Sequence, residues 1–323
     1  MRAVLVRHHG GPEVLEVADV DSPEPKSGEV LVDVAAAGVN FLDTYQREGR
    51  YQLATPFVLG LEGAGTVRSV GADVSDITVG DRVAWVQSQG SYAEQVTVPA
   101  EAAIPVPAAV SDEIAAGFLL QGLTAHYLAH STYQVQPGDW VVVHAAAGGV
   151  GLLLTQVVKL LGGHVLATVS TPKKAELAKS VGADEVASYD DFADRARDLT
   201  GGEGVVCVYD GVGKATFDKS VEALRPRGLL ALFGASSGPV PPVDPIKVLA
   251  ANGSLFLTRP MIAHYTRTRD ERMSRAEELF QWLGSGQLTV HIGGRYSLDQ
   301  ARQAQEDLQG RRTTGKLLLF PER

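Results

Sequence analysis

The residues best suited to do chemistry begin at Val141-Val142-Val143-His144-Ala145-Ala146-Ala147-Gly148-Gly149-Val150-Gly151. An apolar run, a turn of small residues, and then Leu152, Leu153, Val157, Leu160 and Leu161 at helical spacing predict a buried strand, a tight turn and a helix. Compared with the dinucleotide pattern G-x-G-x-x-G, Ala146-Ala147-Gly148-Gly149-Val150-Gly151 keeps the second and third glycines and carries alanine for the first. Gly148 lets backbone approach a pyrophosphate, and Gly151 lets the helix pack on the sheet. The helix N-terminus supplies unpaired N–H groups and a partial positive charge for phosphate oxygens. A glycine-rich connection with no ligand would read the same from this string alone, so the discriminating residues are those downstream. A strand predicted over 164–170 ends about 20 residues past the glycines, where an NAD enzyme carries Asp or Glu for the ribose hydroxyls. Here that position is Ser170, followed by Lys173 and Lys174, with Arg195 and Arg197 farther on. An acid repels a 2′-phosphate, whereas a hydroxyl and a lysine bind it through charge-assisted hydrogen bonds. The expected cofactor is NADPH rather than NADH.

Elements that could position these residues are legible along the chain. A length of 323 residues, 45% of them hydrophobic and 21% charged, is too great for one small core and predicts two domains. The net charge of -9 argues against a nucleic-acid-binding surface. Residues 1–7 start directly as an apolar strand, and no apolar run reaches the length of a membrane span, so a cytoplasmic protein without membrane contact is expected. The single cysteine, Cys207, excludes an internal disulfide and, within Val205-Val206-Cys207-Val208-Tyr209, reads as a buried thiol. Residues 1–100 carry short β runs at 3–7, 15–20, 29–36, 65–70, 81–86 and 92–98, broken by Gly and Pro, as in a barrel-like unit. Inside it, residues 38–45 form a polar and aromatic loop or short helix, and Leu59-Gly60-Leu61-Glu62-Gly63-Ala64-Gly65 forms a bend. Helices are predicted over 114–120, with Ser111 and Asp112 as caps, and over 123–129. From 140 to 257 strands alternate with helices, the pattern of a doubly wound parallel sheet, and the Pro-rich stretch 239–245 reads as a loop over the cofactor. Beyond Pro260 come an amphipathic helix through Leu279 and Leu283, a β run over 288–293, a helix over 298–308 and a strand over 315–320.

Several motifs, in order along almost the whole chain, carry a resemblance. They are Asn40-Phe41-Leu42-Asp43-Thr44-Tyr45, Gln121-Gly122-Leu123-Thr124-Ala125, the turn at 144–151, Ser170-Thr171-Pro172-Lys173-Lys174, Tyr209-Asp210-Gly211-Val212-Gly213, Phe233-Gly234-Ala235-Ser236-Ser237-Gly238 and Arg311-Arg312-Thr313-Thr314-Gly315-Lys316. Together they resemble the zinc-free, zeta-crystallin-like quinone oxidoreductase branch of the medium-chain dehydrogenase/reductase superfamily. The resemblance implies an α/β fold: a GroES-like β-rich catalytic domain of residues 1–122 and 261–323, and a Rossmann doubly wound parallel-sheet domain of residues 123–260. It also implies a homodimer that couples NADPH oxidation to quinone reduction. Carried over position by position, it has Asn40, Asp43 and Tyr45 face the nicotinamide end and the substrate, and Gly148, Gly149 and Val150 hold the pyrophosphate. Ser170, Lys174 and Tyr189 surround the 2′-phosphate. Phe233, Gly234 and Ser236 line the cofactor cleft with the strand end from Leu257 to Arg259. Arg311, or Arg312 one place on, closes on the cofactor. Ser170 departs from the glycine common in relatives, which leaves the fit around the 2′-phosphate open.

Metal chemistry is constrained by residue counts. Catalytic zinc in the related alcohol dehydrogenases uses cysteine and histidine, the structural site uses four cysteines, and this chain has one cysteine. Where zinc-dependent relatives have Gly-His-Glu, it reads Gly60-Leu61-Glu62. His126 and His130 are four apart on an expected helix but lack the glutamate of H-E-x-x-H and an obvious third ligand, so no metal is expected. Saturated alcohols need a Lewis acid to stabilise an alkoxide, whereas quinones and conjugated enones delocalise the incoming charge. The protein must then position the nicotinamide, exclude water and hydrogen-bond the developing oxyanion, for which Tyr45 and Asn40 are the expected donors. Proton delivery by Tyr45 or by solvent stays open. The expected partner is a small-molecule quinone. An enone or alkenal reductase is the first alternative, and a catalytically idle NADPH-binding protein with a structural or RNA-binding role the second.

Overall fold

The alternating pattern of residues 140–258 becomes a six-stranded, all-parallel sheet in the computed structural model, which describes residues 1–51 and 53–321. Its strands lie in the order Glu185–Ala187, His164–Thr168, Trp140–Val143, Val205–Asp210, Leu224–Leu232 and Phe256–Thr258. In chain order this is third, second, first, fourth, fifth, sixth, with the direction of winding reversing beside Trp140–Val143. Parallel neighbours need crossovers, and helices Gly149–Leu160, Pro172–Ser180, Phe192–Leu199 and Phe217–Ala223 supply them. Helices cover both faces, so Val141, Val142, Val143, Val205, Val206 and Val208 are all buried. Cys207 is buried in the same central strand, and that burial pushes its thiol pKa up. The core joins Val142, Leu166 and Val208 to Phe192, Phe217 and Leu230.

The other sheet is mainly antiparallel and is organised on Glu29–Val39, a strand of 11 residues. Glu62–Val70 and Gln95–Pro99 pair with it, and the C-terminal strand Lys316–Phe320 returns to pair Leu317 with Val39 and Leu319 with Ala37. Arg82–Val86 and Ile104–Pro105 extend this sheet on one side, and Ile292–Ser297 extends it beyond Lys316–Phe320 on the other. A smaller sheet holds Leu15–Asp19, Arg2–Val6 and Phe57–Val58. Val4, Val32, Leu59, Trp85, Tyr92 and Leu317 share one core.

By packing, residues 1–121, 268–280 and 290–323 form one unit, and residues 122–267 and 281–289 form the other. Residues 261–267 and 281–289, expected with the C-terminal return, therefore cluster with the parallel sheet. Side chains explain this. Within the first unit Phe280 packs on Phe118, with ring centroids 6.0 Å apart, whereas within the second Trp282 stacks on His126 and His130. Two further expectations are corrected. The helix predicted over 114–120 is divided at Gly117 into Asp112–Ala116, capped by Ser111, and Leu119–Tyr127. The β run predicted over 288–293 is displaced to Ile292–Ser297, because the Gln156 carboxamide takes both the Thr289 N–H (2.8 Å) and its carbonyl (3.1 Å). Among the described residues, no helix is long and apolar enough to cross a membrane.

Candidate active site

All six parallel strands point the same way, so the loops after them share one edge of the sheet. Strand Trp140–Val143 ends there at His144, Ala145 turns the chain with φ 50°, and Gly148 is the N-cap of helix Gly149–Leu160. A glycine cap brings no side chain, so the first-turn N–H groups of Gly149 and Val150 face outward uncapped. A Cβ on Gly151 would stand 2.5 Å from the Ala145 carbonyl oxygen and 2.6 Å from Ala146 Cα. Both obstacles are backbone, so only glycine lets the helix begin this close to the turn.

A buried polar network supports the turn. His144 is 1% exposed, with Nδ1 2.8 Å from Thr168 Oγ1 and Nε2 2.9 Å from Ser220 Oγ, and its ring meets Phe192 edge-on. Burial pulls its pKa down to about 4 against the pull of Asp210, so the ring is neutral at pH 7. Asp210 accepts from the N–H groups of Val212 (2.7 Å) and Gly213 (2.9 Å) and from the hydroxyls of Thr216 (2.7 Å) and Ser220 (3.1 Å). That fixes loop 211–213, on which loop 233–238 rests: Phe233 and Gly234 donate their N–H groups to the Asp210 carbonyl and Ser236 donates to Gly211.

The three residues expected at a 2′-phosphate reach this same edge, at the ends of adjacent strands. Ser170 is exposed after His164–Thr168, and Thr171 accepts the Lys174 N–H (3.3 Å), which sets Lys174 in the first turn of Pro172–Ser180. Tyr189 follows Glu185–Ala187, and its hydroxyl accepts the Ala145 N–H at 3.2 Å, so it also touches the glycine turn. Leu257 lies in the last strand, and Arg259 just past it donates to the Leu232 carbonyl (2.9 Å).

In the antiparallel unit, Asn40 ends strand Glu29–Val39 and is the N-cap of helix Phe41–Arg47. Asp43 Oδ2 accepts the Asn40 backbone N–H (2.8 Å) and the Tyr92 hydroxyl (2.7 Å). Asp43 was expected to face the substrate. It is instead 0% exposed, enclosed as the capping-box partner of Asn40 in the first turn of this helix, with its pKa raised to about 7 chiefly by burial. The Asn40 carboxamide donates to the Gly38 carbonyl (3.2 Å) and Glu62 Oε2 (3.1 Å), and its oxygen accepts from Gln121 Nε2 (2.6 Å) and Lys316 Nζ (2.8 Å). Two donors and two acceptor sites are thus spent, so Asn40 holds the local geometry and has no donor left for an oxyanion. Tyr45 lies apart from this network, stacked on Tyr51 at 6.3 Å with the Arg50 guanidinium 5.1 Å from its ring centroid. At the helix end the buried Arg47 donates to the Gly10 carbonyl (3.1 Å), Gln305 (2.5 Å) and Gln309 (3.1 Å).

Reasoning from sequence missed Glu62, Gln121 and Lys316 as members of this network. Their one trace is a lysine heading the apolar strand Lys316-Leu317-Leu318-Leu319-Phe320. Near the C-terminus, Arg312 is paired with Asp307 (2.7 Å), whereas Arg311 takes a left-handed φ of 55° past helix Ala301–Gln309.

Comparison with known proteins places this geometry in context. Residues 26–108 match the alcohol dehydrogenase GroES-like domain, and residues 149–282 match the domain described as zinc-binding dehydrogenase. A mycobacterial protein solved as a complex with NADPH is 52% identical, with a TM-score of 0.97 over 99% of this chain and 100% of that one. Escherichia coli quinone oxidoreductase, also solved with NADPH, is 41% identical with a TM-score of 0.97 over 99% of this chain and 100% of its own. A 2-haloacrylate reductase from Burkholderia is 41% identical over 99% of each chain.

Proposed function

This chain belongs to the quinone oxidoreductase family of the medium-chain dehydrogenase/reductase superfamily, and from that premise we propose that it reduces quinones with NADPH and without a metal. The observation that carries the proposal is the glycine-capped helix terminus at 148–151, with uncapped first-turn N–H groups and a Gly151 that lets the helix begin against the backbone of the turn. NADPH, when bound, supplies the hydride. Gly148, Gly149 and Val150 bind its pyrophosphate through backbone N–H groups. Ser170, Lys174 and Tyr189 bind the 2′-phosphate, and Phe233, Gly234, Ser236, Leu257 and Arg259 form the wall along the same sheet edge. Arg311 reaches the cofactor, with Arg312, which pairs with Asp307, as the alternative one place on.

Tyr45 donates the hydrogen bond to the oxygen that gains charge, because the Asn40 donors are committed elsewhere. Asn40 and Asp43 act behind it by fixing the start of its helix. Where zinc-dependent relatives hold their metal the donor set does not fit zinc: Leu61 offers no ligand atom and the Glu62 carboxylate is already paired with Lys316 at 2.6 Å, while Cys207 is buried in the central strand. A conjugated enone reads as a second substrate class, because the same donor suits an enolate oxygen and a 2-haloacrylate reductase is a relative at 41% identity. We also assign a homodimer. Phe256–Thr258 is the last strand of its sheet and Phe256 is 61% exposed, so a second copy pairing there would cover both edge and ring.

NADPH oxidation recorded with a simple quinone, then with an alkenal, then with neither, tests the function. Turnover with the quinone is expected, faster than with the alkenal, and no turnover with either would refute it. Light scattering that gives a monomer mass would refute the dimer.

A further inference from the structure

Three oxygens converge on one ammonium inside the antiparallel unit. Glu62 Oε2 lies 2.6 Å from Lys316 Nζ, Asn40 Oδ1 2.8 Å and Gln121 Oε1 3.0 Å. Lys316 is 2% exposed and Glu62 0%, so the pair is out of reach of solvent. An ammonium has three protons, and each here has one oxygen. The same oxygens are tied to one another: Asn40 Nδ2 donates to Glu62 Oε2 and Gln121 Nε2 to Asn40 Oδ1, while the Leu120 N–H bonds Glu62 Oε1 at 2.8 Å. The backbone makes room for this cage, since a Cβ on Gly38 would stand 2.7 Å from Lys316 Cε.

A buried ion pair is weak evidence for stability, because desolvation roughly offsets the Coulombic gain. What this one supplies is orientation, with three side chains from three chain segments held by a single charge. We propose that Lys316 is a positioning residue acting as an internal cation: its ammonium organises the oxygen cage as a bound ion would and, through Asn40, fixes the start of the helix that carries Tyr45. The functional half of this inference rests on the role given to Tyr45 above; the cage does not.

Lys316→Ala removes an aminopropyl group and leaves three oxygens around a cavity suited to a small ammonium ion. The full chain carrying Lys316→Ala is compared with wild type in ammonium, n-propylammonium and tetramethylammonium chlorides at equal ionic strength, reading Tm and the steady-state constants for NADPH and a simple quinone. Misorientation of the helix start predicts a kcat lower by about tenfold to a hundredfold, with KM for NADPH within about twofold. Ammonium or n-propylammonium should raise both Tm and kcat of the variant, and tetramethylammonium, which has no N–H to donate, neither. A kcat within twofold of wild type, no amine effect on Tm, or an equal effect of tetramethylammonium overturns the proposal. If Lys316→Ala does not fold, Glu62→Gln with Lys316→Met removes both charges at similar volume, a change that buried pairs commonly tolerate. That double variant should fold with a low kcat, and a wild-type kcat overturns the inference. Should wild type turn over no quinone, the functional reading fails, and the Tm response of Lys316→Ala still judges the cage.

Discussion

Asp43→Asn gives the sharpest test of how the helix that carries Tyr45 is held. In the folded protein burial raises the Asp43 carboxyl from 3.8 to about 7, against the lowering pull of Tyr92, the Asn40 N–H and Lys316. Below pH 3.8 folded and unfolded chains both hold the proton. Between pH 3.8 and about 7 the folded chain keeps it while the unfolded chain gives it up, so stability falls as pH rises through that window and levels above it. A shift of this size corresponds to up to about 4 kcal/mol. Asparagine cannot titrate. Its oxygen can keep the bonds to the Asn40 N–H and the Tyr92 hydroxyl, while its NH₂ replaces Asp43 Oδ1, a buried atom with no hydrogen-bond partner among the described residues. That orphaned donor costs roughly 1–3 kcal/mol at every pH.

The readout is therefore a slope: the stability of Asp43→Asn minus that of wild type, from urea unfolding at pH 4 to 8. Acid titration of all other carboxyls cancels in the difference. It should rise in favour of the variant by up to about 4 kcal/mol and flatten above about pH 7. A flat difference would mean that the carboxyl titrates as in water, and a falling one that the ionised form is the stabilised one. Either result refutes the account of a desolvated cap.

Lys174→Ala should weaken NADPH binding by roughly 1.5–3 kcal/mol in calorimetry and leave NADH nearly unaffected; equal losses would remove Lys174 from the 2′-phosphate. Gly151→Ala drives a methyl group into the Ala145 carbonyl and should cost about 1–3 kcal/mol of stability along with cofactor affinity, so a melting temperature equal to wild type would contradict the packing described. Tyr45→Phe should lower kcat by about tenfold to a thousandfold with little change in NADPH affinity. An unchanged kcat, with a primary deuterium isotope effect showing that hydride transfer limits the rate, would take Tyr45 out of the mechanism. Exhaustive chelation and dialysis should leave activity and Tm unchanged, and activity lost with stoichiometric zinc would refute the metal-free reading.

The parts of this protein that were legible in sequence are those whose physics is local. Strand Trp140–Val143, the turn and helix Gly149–Leu160 are consecutive, and the groups offered to a phosphate are backbone N–H groups whose direction the helix itself sets. That the sheet is parallel and doubly wound followed from the same alternation, since most crossovers are helices of their own segment, whereas the strand order is seen only in the fold. The β run expected over 288–293 failed for the opposite reason: its polar backbone was claimed by Gln156, 133 residues away, which no period along 288–293 can register.

Side-chain chemistry in the antiparallel unit failed in the same way. Residues 38–45 were singled out as a loop or short helix after a strand, and helix Phe41–Arg47 stands there with Asn40, a normal cap choice, as its N-cap. Whether its carboxamide is spent or available depends on residues 62, 121 and 316, which meet only because the C-terminal strand pairs with Glu29–Val39. One inference was nevertheless within reach. A lysine heading a strand as apolar as Leu317-Leu318-Leu319-Phe320 cannot be buried without an anion, because an unpaired ammonium in a core would shed its proton or unfold its surroundings. Glu62, on a strand that also pairs with Glu29–Val39, is the acid that answers it. Reading a charge in a predicted core strand as a demand for a partner would have flagged position 316 from the sequence, while the choice of Glu62 as that partner, and the engagement of the Asn40 carboxamide beside it, came only with the strand pairing.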